Sequence, residues 1–397
     1  MINKYITATF LAVASIGNIS SQNVRPVPKL VVNIAIDQLR TDYIEAFIPY
    51  YSEGGIKKLL RNGAVYSNAQ YMFSPVDRAS SIASISTGTS PSSNGITGFR
   101  WLNKNTLIPV NCVDDNSYEG IFTKEGASPK NIITTTINDE LKIATEGDAI
   151  VYSIALERDA AVIGGGHAAD GALWFNKDNK CWCSSKYYFK KAPSWLESYN
   201  LLYANNFTED NVNANITNVA LECVNSCGMG TDDITDMLSL TYSVKIPVKK
   251  INKQQLQNTY IQLDKELEKL ISKLESKIGI NNLLFVVTST GYCDEKEINY
   301  EKYRIPSGTF YINRTANLLN MYLGAIYGQD KYIESCFYNQ IFLNLRQIEL
   351  KRINISDLLS RAQSFLIQNS GIKNVFTSND LMLYGDKNDS KLRNWYN

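Results

Sequence analysis

The first strong pattern along the chain is a near-continuous apolar run, KLVVNIAID, at residues 29–37. A run of this kind, closed by an acid, predicts a strand buried on both faces of a parallel sheet. Ligands gather at the carboxyl ends of such strands, so Asp37 is a candidate functional residue as well as a candidate turn residue. Further strand-like runs lie at 148–156, 160–163, 237–244 and 283–288. Between the last two, Leu256, Tyr260, Leu263, Leu267, Leu270 and Leu274 keep helical spacing and predict a helix over about 253–278. A strand, long helix and strand in that order favour a parallel sheet with a right-handed crossover.

Residues 54–66 predict another helix, with Leu59 and Leu60 on one face and Asn62-Gly63 as a left-handed stop. Residues 77–86 predict a small-residue helix with Asp77 as its N-cap. Gly, Pro and Ser signals make 87–98 a loop. From 313 to 369 the chain is again largely helical, and 174–220, rich in Asn, Lys and aromatics, reads as a smaller cap insertion. No tandem repeat or heptad array interrupts this order.

A chain of 397 residues is one large domain or two to three small ones. Its 40 Lys+Arg and 39 Asp+Glu leave a net charge of +1, which argues against a general polyanion binder and so against a nucleic-acid partner. The chain contains 1 histidine, which argues against catalysis by several imidazoles, the common zinc hydrolase sites included. Seven cysteines, an odd number at low density, indicate no disulfide scaffold.

Residues 1–22 read as a secretory signal rather than a buried first element. Lys4 precedes a short apolar run over 5–16, and Ser20, Ser21 and Gln22 follow. The run is too short for a bilayer span of roughly 20 residues. The expectation is an exported protein, periplasmic, cell-surface or secreted, without a membrane span.

Gly164-Gly165-Gly166-His167 lacks the spacing of a dinucleotide fingerprint, and His167, without a partner histidine, reads as structural. Cys181-Trp182-Cys183 is too constrained for an easy mutual disulfide. Cys223 and Cys227 can share a helix face, but a four-cysteine site with Cys181 and Cys183 fits the usual zinc spacing poorly. Sequons at Asn215 and Asn354 are of the kind an Asn-rich chain produces by chance.

The segments VVNIAIDQLRTDYI, GGIKKLLRNGAVYSNAQY and SISTGTSPSSNGITGFRW together resemble the alkaline phosphatase superfamily, in its branch near the type I phosphodiesterases and nucleotide pyrophosphatases. VYSIALERDAAVIGGGHAADGALWFN, TDMLSLTYSV, NNLLFVVTSTGY, GTFYINRTANLLN and VFTSNDLMLYG agree in order. The resemblance covers residues 29 to about 385 and implies an α/β three-layer sandwich, a central mostly parallel sheet flanked by helices, over 23–397.

Active members of that family hold two metal ions, usually zinc, and attack phosphorus with a Thr or Ser at a helix N-terminus. The resemblance places the first metal ligand at Asp37 and the nucleophile position at Arg78, which cannot attack. A helix advances about 100° per residue, so Ser80 and Ser81 point elsewhere. Further ligand positions fall at Ile246, Lys250, Thr290 and Gly291. The phosphate-contacting Asn corresponds to Phe99, the Lys of a Lys-x-Arg pair to Leu156, and its Arg to Arg158. A sulfatase variant would need Cys or Ser where Phe73 stands.

These losses lead to the expectation of a pseudoenzyme that binds no zinc and needs no cofactor. It would serve as a binding or scaffold subunit for another envelope or secreted protein. The alternatives are a hydrolase of phosphoric or sulfuric esters, metal-dependent or with a rebuilt site, and a binder of small anions. Arg78 is expected to pair with Asp37, replacing metal charge with a guanidinium.

Overall fold

The computed structural model describes residues 27–73, 76–103, 105–203, 212–244, 253–292, 301–305, 310–369, 371–372 and 374–380. The segment read as a signal, and the positions Ile246 and Lys250, lie outside them. Among the described residues no helix is long and apolar enough to cross a membrane.

Seven strands make one sheet: β1 (Leu30–Asp37), β2 (Gly120–Ile121), β3 (Val151–Ala155), β4 (Gly171–Asn176), β5 (Cys181–Ser185), β6 (Asp236–Ser243) and β7 (Leu283–Ser289). Their order is β2-β5-β4-β3-β6-β1-β7. The five strands β4, β3, β6, β1 and β7 run parallel, and the β5 and β2 pairings are antiparallel. Helices cover both faces, which makes the fold the expected α/β sandwich.

Alternation along β1 assigns its side chains to two layers. Leu30, Val32, Ile34 and Ile36 enter a core of large side chains. Packed there are α1 (Thr41–Phe47) and α2 (Ile56–Asn62), and further along the chain helices over Ser194–Tyr203, Val212–Cys227 and Lys253–Ile278. Ala35 turns to the other face and a core rich in alanine. That face carries α3 (Arg78–Thr87), and beyond α4 (Ile137–Ala144) it carries α5 (Arg158–Gly165). The last three helices on the large-residue face, Ser194–Tyr203, Val212–Cys227 and Lys253–Ile278, are α6, α7 and α8. Leu263, Leu267, Leu270 and Leu274 of α8 are almost fully buried, each stabilising the fold by about 1.5–3 kcal/mol.

α8 also caps α2. Its buried Asp264 accepts hydrogen bonds from the backbone N–H of Ser52 (2.6 Å) and of Ile56 (2.7 Å). A side chain at Gly55 would collide with this carboxylate.

Several elements differ from expectation. Residues 160–163 are the middle of helix α5, not a strand. A short apolar run carries no period that separates the two, and small residues let α5 lie close on the sheet. A Cβ at Gly164 would sit 2.8 Å from Ser153 Oγ on β3. Gly63 ends α2 in an extended conformation (φ −99°), not a left-handed one. The 87–98 loop holds a short helix, Pro91–Asn94. The stretch 174–220 supplies β5 and α6, whose Trp182, Leu196 and Tyr199 join the large core.

Toward the C-terminus, α9 (Ile312–Tyr327), α10 (Leu345–Leu350) and α11 (Ile355–Asn369) enclose their own core of Leu319, Leu323, Tyr332, Ile348 and Leu358. Within this region lies a hairpin, Ile333–Phe337 paired with Gln340–Leu343, that the helical reading of 313–369 did not include.

Candidate active site

β1 ends at Asp37, 5% exposed, and the neighbouring β7 fixes its carboxylate. Thr290, just past the end of β7, donates its backbone N–H to the Ile36 carbonyl (3.2 Å) and its hydroxyl to Asp37 Oδ1 (2.8 Å). Ser81 of α3 donates to the Thr290 carbonyl (2.7 Å). Thr290, counted as a lost ligand position, and Ser81, read as pointing elsewhere, therefore serve to hold Asp37.

The start of α3 is fixed by a capping box. Asp77 Oδ1 accepts from Ser80 N (2.8 Å), and Asp77 N donates to Ser80 Oγ (3.2 Å). The second Asp77 oxygen accepts the Phe99 N–H (2.7 Å), tying the following loop to the helix start. Arg78 is the first residue of α3. Its Nε and Nη2 donate to the two oxygens of Asp159, at 3.1 and 2.9 Å. Its Nη1 lies 3.9 Å from Asp37 Oδ2. The guanidinium also stands 6.0 Å from the centre of the Phe99 ring, which is partly exposed.

The structure thus brings Arg78, Asp37 and Phe99 together and adds Asp159, which the sequence reading missed. Asp159 is the second residue of α5, just past the carboxyl end of β3, and is 2% exposed. The rule that singled out Asp37 at a strand end also applies to it. Burial works to lower the Arg78 pKa, but the charge and hydrogen bonds of Asp159 outweigh it and hold the guanidinium charged. Burial likewise pushes Asp159 upward, against the pull of Arg78. Arg158 makes its ion pairs elsewhere, with Asp114 and with Glu125 (3.3 Å), and donates to the Gly126 carbonyl (3.4 Å). Gly291 follows Thr290 in a left-handed conformation (φ 84°) and donates its N–H to Ser289 Oγ (3.0 Å).

The histidine sits in a separate arrangement. Gly166 leaves α5 at φ 75°, where a side chain would meet Thr136. The next two N–H groups, of His167 and Ala168, donate to Asp139 Oδ1 (2.8 and 2.7 Å), and the His167 ring Nδ1 lies 2.9 Å from Asp139 Oδ2. The Asp139 hydrogen bond raises the His167 pKa. Burial pushes Asp139 up, but its bonds from His167, Thr136 and Ala168 bring it down to about 2. The His167 contribution to stability is full below the ordinary 6.5 and is lost as pH rises through the raised value. The Asp139 contribution is present above the ordinary 3.8 and is lost as pH falls toward about 2. Because the chain has 1 histidine, its imidazole proton resonances are unambiguous. They should titrate above 6.5 and return toward it in Asp139→Asn; an unshifted midpoint in the parent protein would show that the contact is absent in solution.

The chain belongs to the type I phosphodiesterase / nucleotide pyrophosphatase family, whose model matches residues 31–336. It lies within the alkaline phosphatase superfamily. It is similar to alkaline phosphatase PafA of Elizabethkingia meningoseptica, 24% identical over 94% of this chain and 79% of that protein. It is also similar to alkaline phosphatase PhoV of Synechococcus elongatus, 25% identical over 88% of this chain and 74% of that one. The solved structure of wild-type PafA matches with a TM-score of 0.80 at 24% identity, covering 94% of this chain and 82% of its own, and establishes the shared fold.

Two expectations are corrected by these relationships. The reading as a non-catalytic scaffold gives way to that of a phosphatase, since relatives aligned over most of this chain carry that name. The error lay in equating the loss of known parts with the loss of activity, which the fold does not dictate. The expectation that no zinc or other cofactor is needed is overturned on the same ground, because the family resemblance is to two-metal enzymes. The described residues nevertheless do not fit such a centre: no three His, Cys, Asp or Glu side chains converge among them, the four cysteines considered above included. Asp37 and Asp159 are turned toward one guanidinium instead.

Proposed function

We propose that this chain hydrolyses phosphoric esters through a site rebuilt at the carboxyl ends of β1 and β3. The observation that carries the reading is Arg78, a fixed cation at the start of α3 with Asp159 on one edge and Asp37 facing the other. Asp159 occupies Nε and Nη2, while Nη1 stands beyond hydrogen-bond reach of Asp37. Nη1 can therefore donate to a phosphoryl oxygen, and the helix N-terminus adds positive potential there. Asp37, steadied by the Thr290 hydroxyl, then accepts the proton of an attacking water. Phe99 forms an apolar rim against the ester's leaving group. Export belongs to the same reading, supported by the charged and apolar order of residues 4–22.

The test is hydrolysis of para-nitrophenyl phosphate and bis-para-nitrophenyl phosphate by the full chain, with chelator and with added zinc. Turnover of one ester is expected. Asp37→Asn should lower kcat about 10²–10³-fold, the usual scale for a positioned proton acceptor or charge-stabilising group. No turnover of either ester under any of these conditions would overturn the proposal, as would full activity in Asp37→Asn.

A further inference from the structure

The C-x-C motif of β5 takes no part in the site above. Cys181 and Cys183 are two apart in the strand, so their side chains share a face. Their sulfurs are 3.7 Å apart. The Phe122 carbonyl oxygen lies 3.2 Å from Cys183 Sγ and 3.8 Å from Cys181 Sγ. Phe122 is a non-glycine residue at φ 61°, and this left-handed conformation aims its carbonyl at the pair. Asn179 Nδ2 donates to the same oxygen (2.9 Å). The peptide between the cysteines is held on the opposite side. Trp182 N donates to Asn200 Oδ1 and Asn200 Nδ2 donates to the Trp182 carbonyl, both at 2.9 Å. Cys183 is buried and Cys181 is partly open to solvent.

These three atoms form a triangle of known chemistry. With metal–sulfur bonds of about 2.3 Å, two thiolates on a tetrahedral ion are roughly 3.8 Å apart. The triangle edges of 3.2, 3.7 and 3.8 Å match one face of such a tetrahedron. A mutual disulfide is the poorer outcome. Residues two apart in a strand are separated by about 6.6–6.8 Å, the far limit for a disulfide.

We propose that Cys181 and Cys183 are a dithiolate clamp for one thiophilic d¹⁰ cation, with the Phe122 carbonyl as third ligand and water on the open side. Binding releases two protons: two thiols and one divalent ion give a neutral bis-thiolate and two hydronium-borne protons. The site stands apart from the Arg78 cluster and is independent of the hydrolase reading.

The experiment titrates the reduced full chain with Cd²⁺ alone. It follows thiolate-to-cadmium charge-transfer absorption and counts bound metal by native mass spectrometry. One Cd²⁺ per chain with that absorption is expected, and Cys181→Ser should remove both. Cys183→Ser should do the same; because Cys183 is buried, circular dichroism accompanies it, and the partly exposed Cys181 position keeps the test decisive if that variant unfolds. Cys223→Ser/Cys227→Ser should retain the signal. Absence of bound Cd²⁺, or a signal that survives Cys181→Ser and disappears in Cys223→Ser/Cys227→Ser, would overturn the assignment.

Discussion

Arg78→Ala is expected to lower the stability of the fold by about 3–5 kcal/mol, the cost of leaving buried carboxylates without their cation. Asp159 is 2% exposed and Asp37 5% exposed. Both are largely buried, and Asp159 has two hydrogen bonds from the arginine. Removing the guanidinium leaves one carboxylate without a charge partner and weakens the field on the other. Urea unfolding followed by circular dichroism measures the change. A loss below 1 kcal/mol would show that water enters to solvate both acids. Arg78→Met combined with Asp159→Leu removes charge and partner together and should recover most of the loss, since a buried pair can be replaced by apolar packing at little cost.

The second large effect is expected at Asp264, far from that cluster. Asp264→Ala should cost about 2–4 kcal/mol, because one buried and one partly buried backbone N–H lose their acceptor, and an unsatisfied buried donor is worth about 1–3 kcal/mol. Those groups belong to Ile56, the first residue of α2, and to Ser52 in the segment before it. Hydrogen exchange at these two amides should accelerate in the variant more than exchange in β1. Equal acceleration throughout the sheet would point instead to a global loss of packing around α8.

The parts of the fold that could be read from the chain are those with a period. β1 and α8 appear where apolar spacing puts them, with α8 spanning the predicted residues. α5 was misread because Ala160, Ala161, Val162 and Ile163 are all fully buried and present no polar face to mark a helix. The hairpin at 333–343 turns at Tyr338 and Asn339, and the Asn was its one local signal. At the site, Asp37 was legible from its strand end and Arg78 from collinearity with the family. Asp159 was not, because it is 81 positions from Arg78 and only the packing of α3 on α5 joins them. The pseudoenzyme reading went wrong for a different reason: side chains absent from counted positions do not by themselves show that a fold is inactive.

The two faces of the sheet will accept opposite kinds of sequence drift. On the α8 face a substitution hurts by removing volume from Leu, Ile and Tyr side chains. On the other face Ala79 and Ala83 of α3, and Ala160 and Ala161 of α5, act as spacers whose smallness sets the helix separation. Enlarging one of them to a valine or leucine would push the helices apart. The Arg78–Asp159 pair spans that separation, so its geometry can be detuned by residues that never touch it. Mutational scanning should therefore find a band of positions under the sheet where serine and glycine survive, larger residues fail, and activity is lost before the fold is.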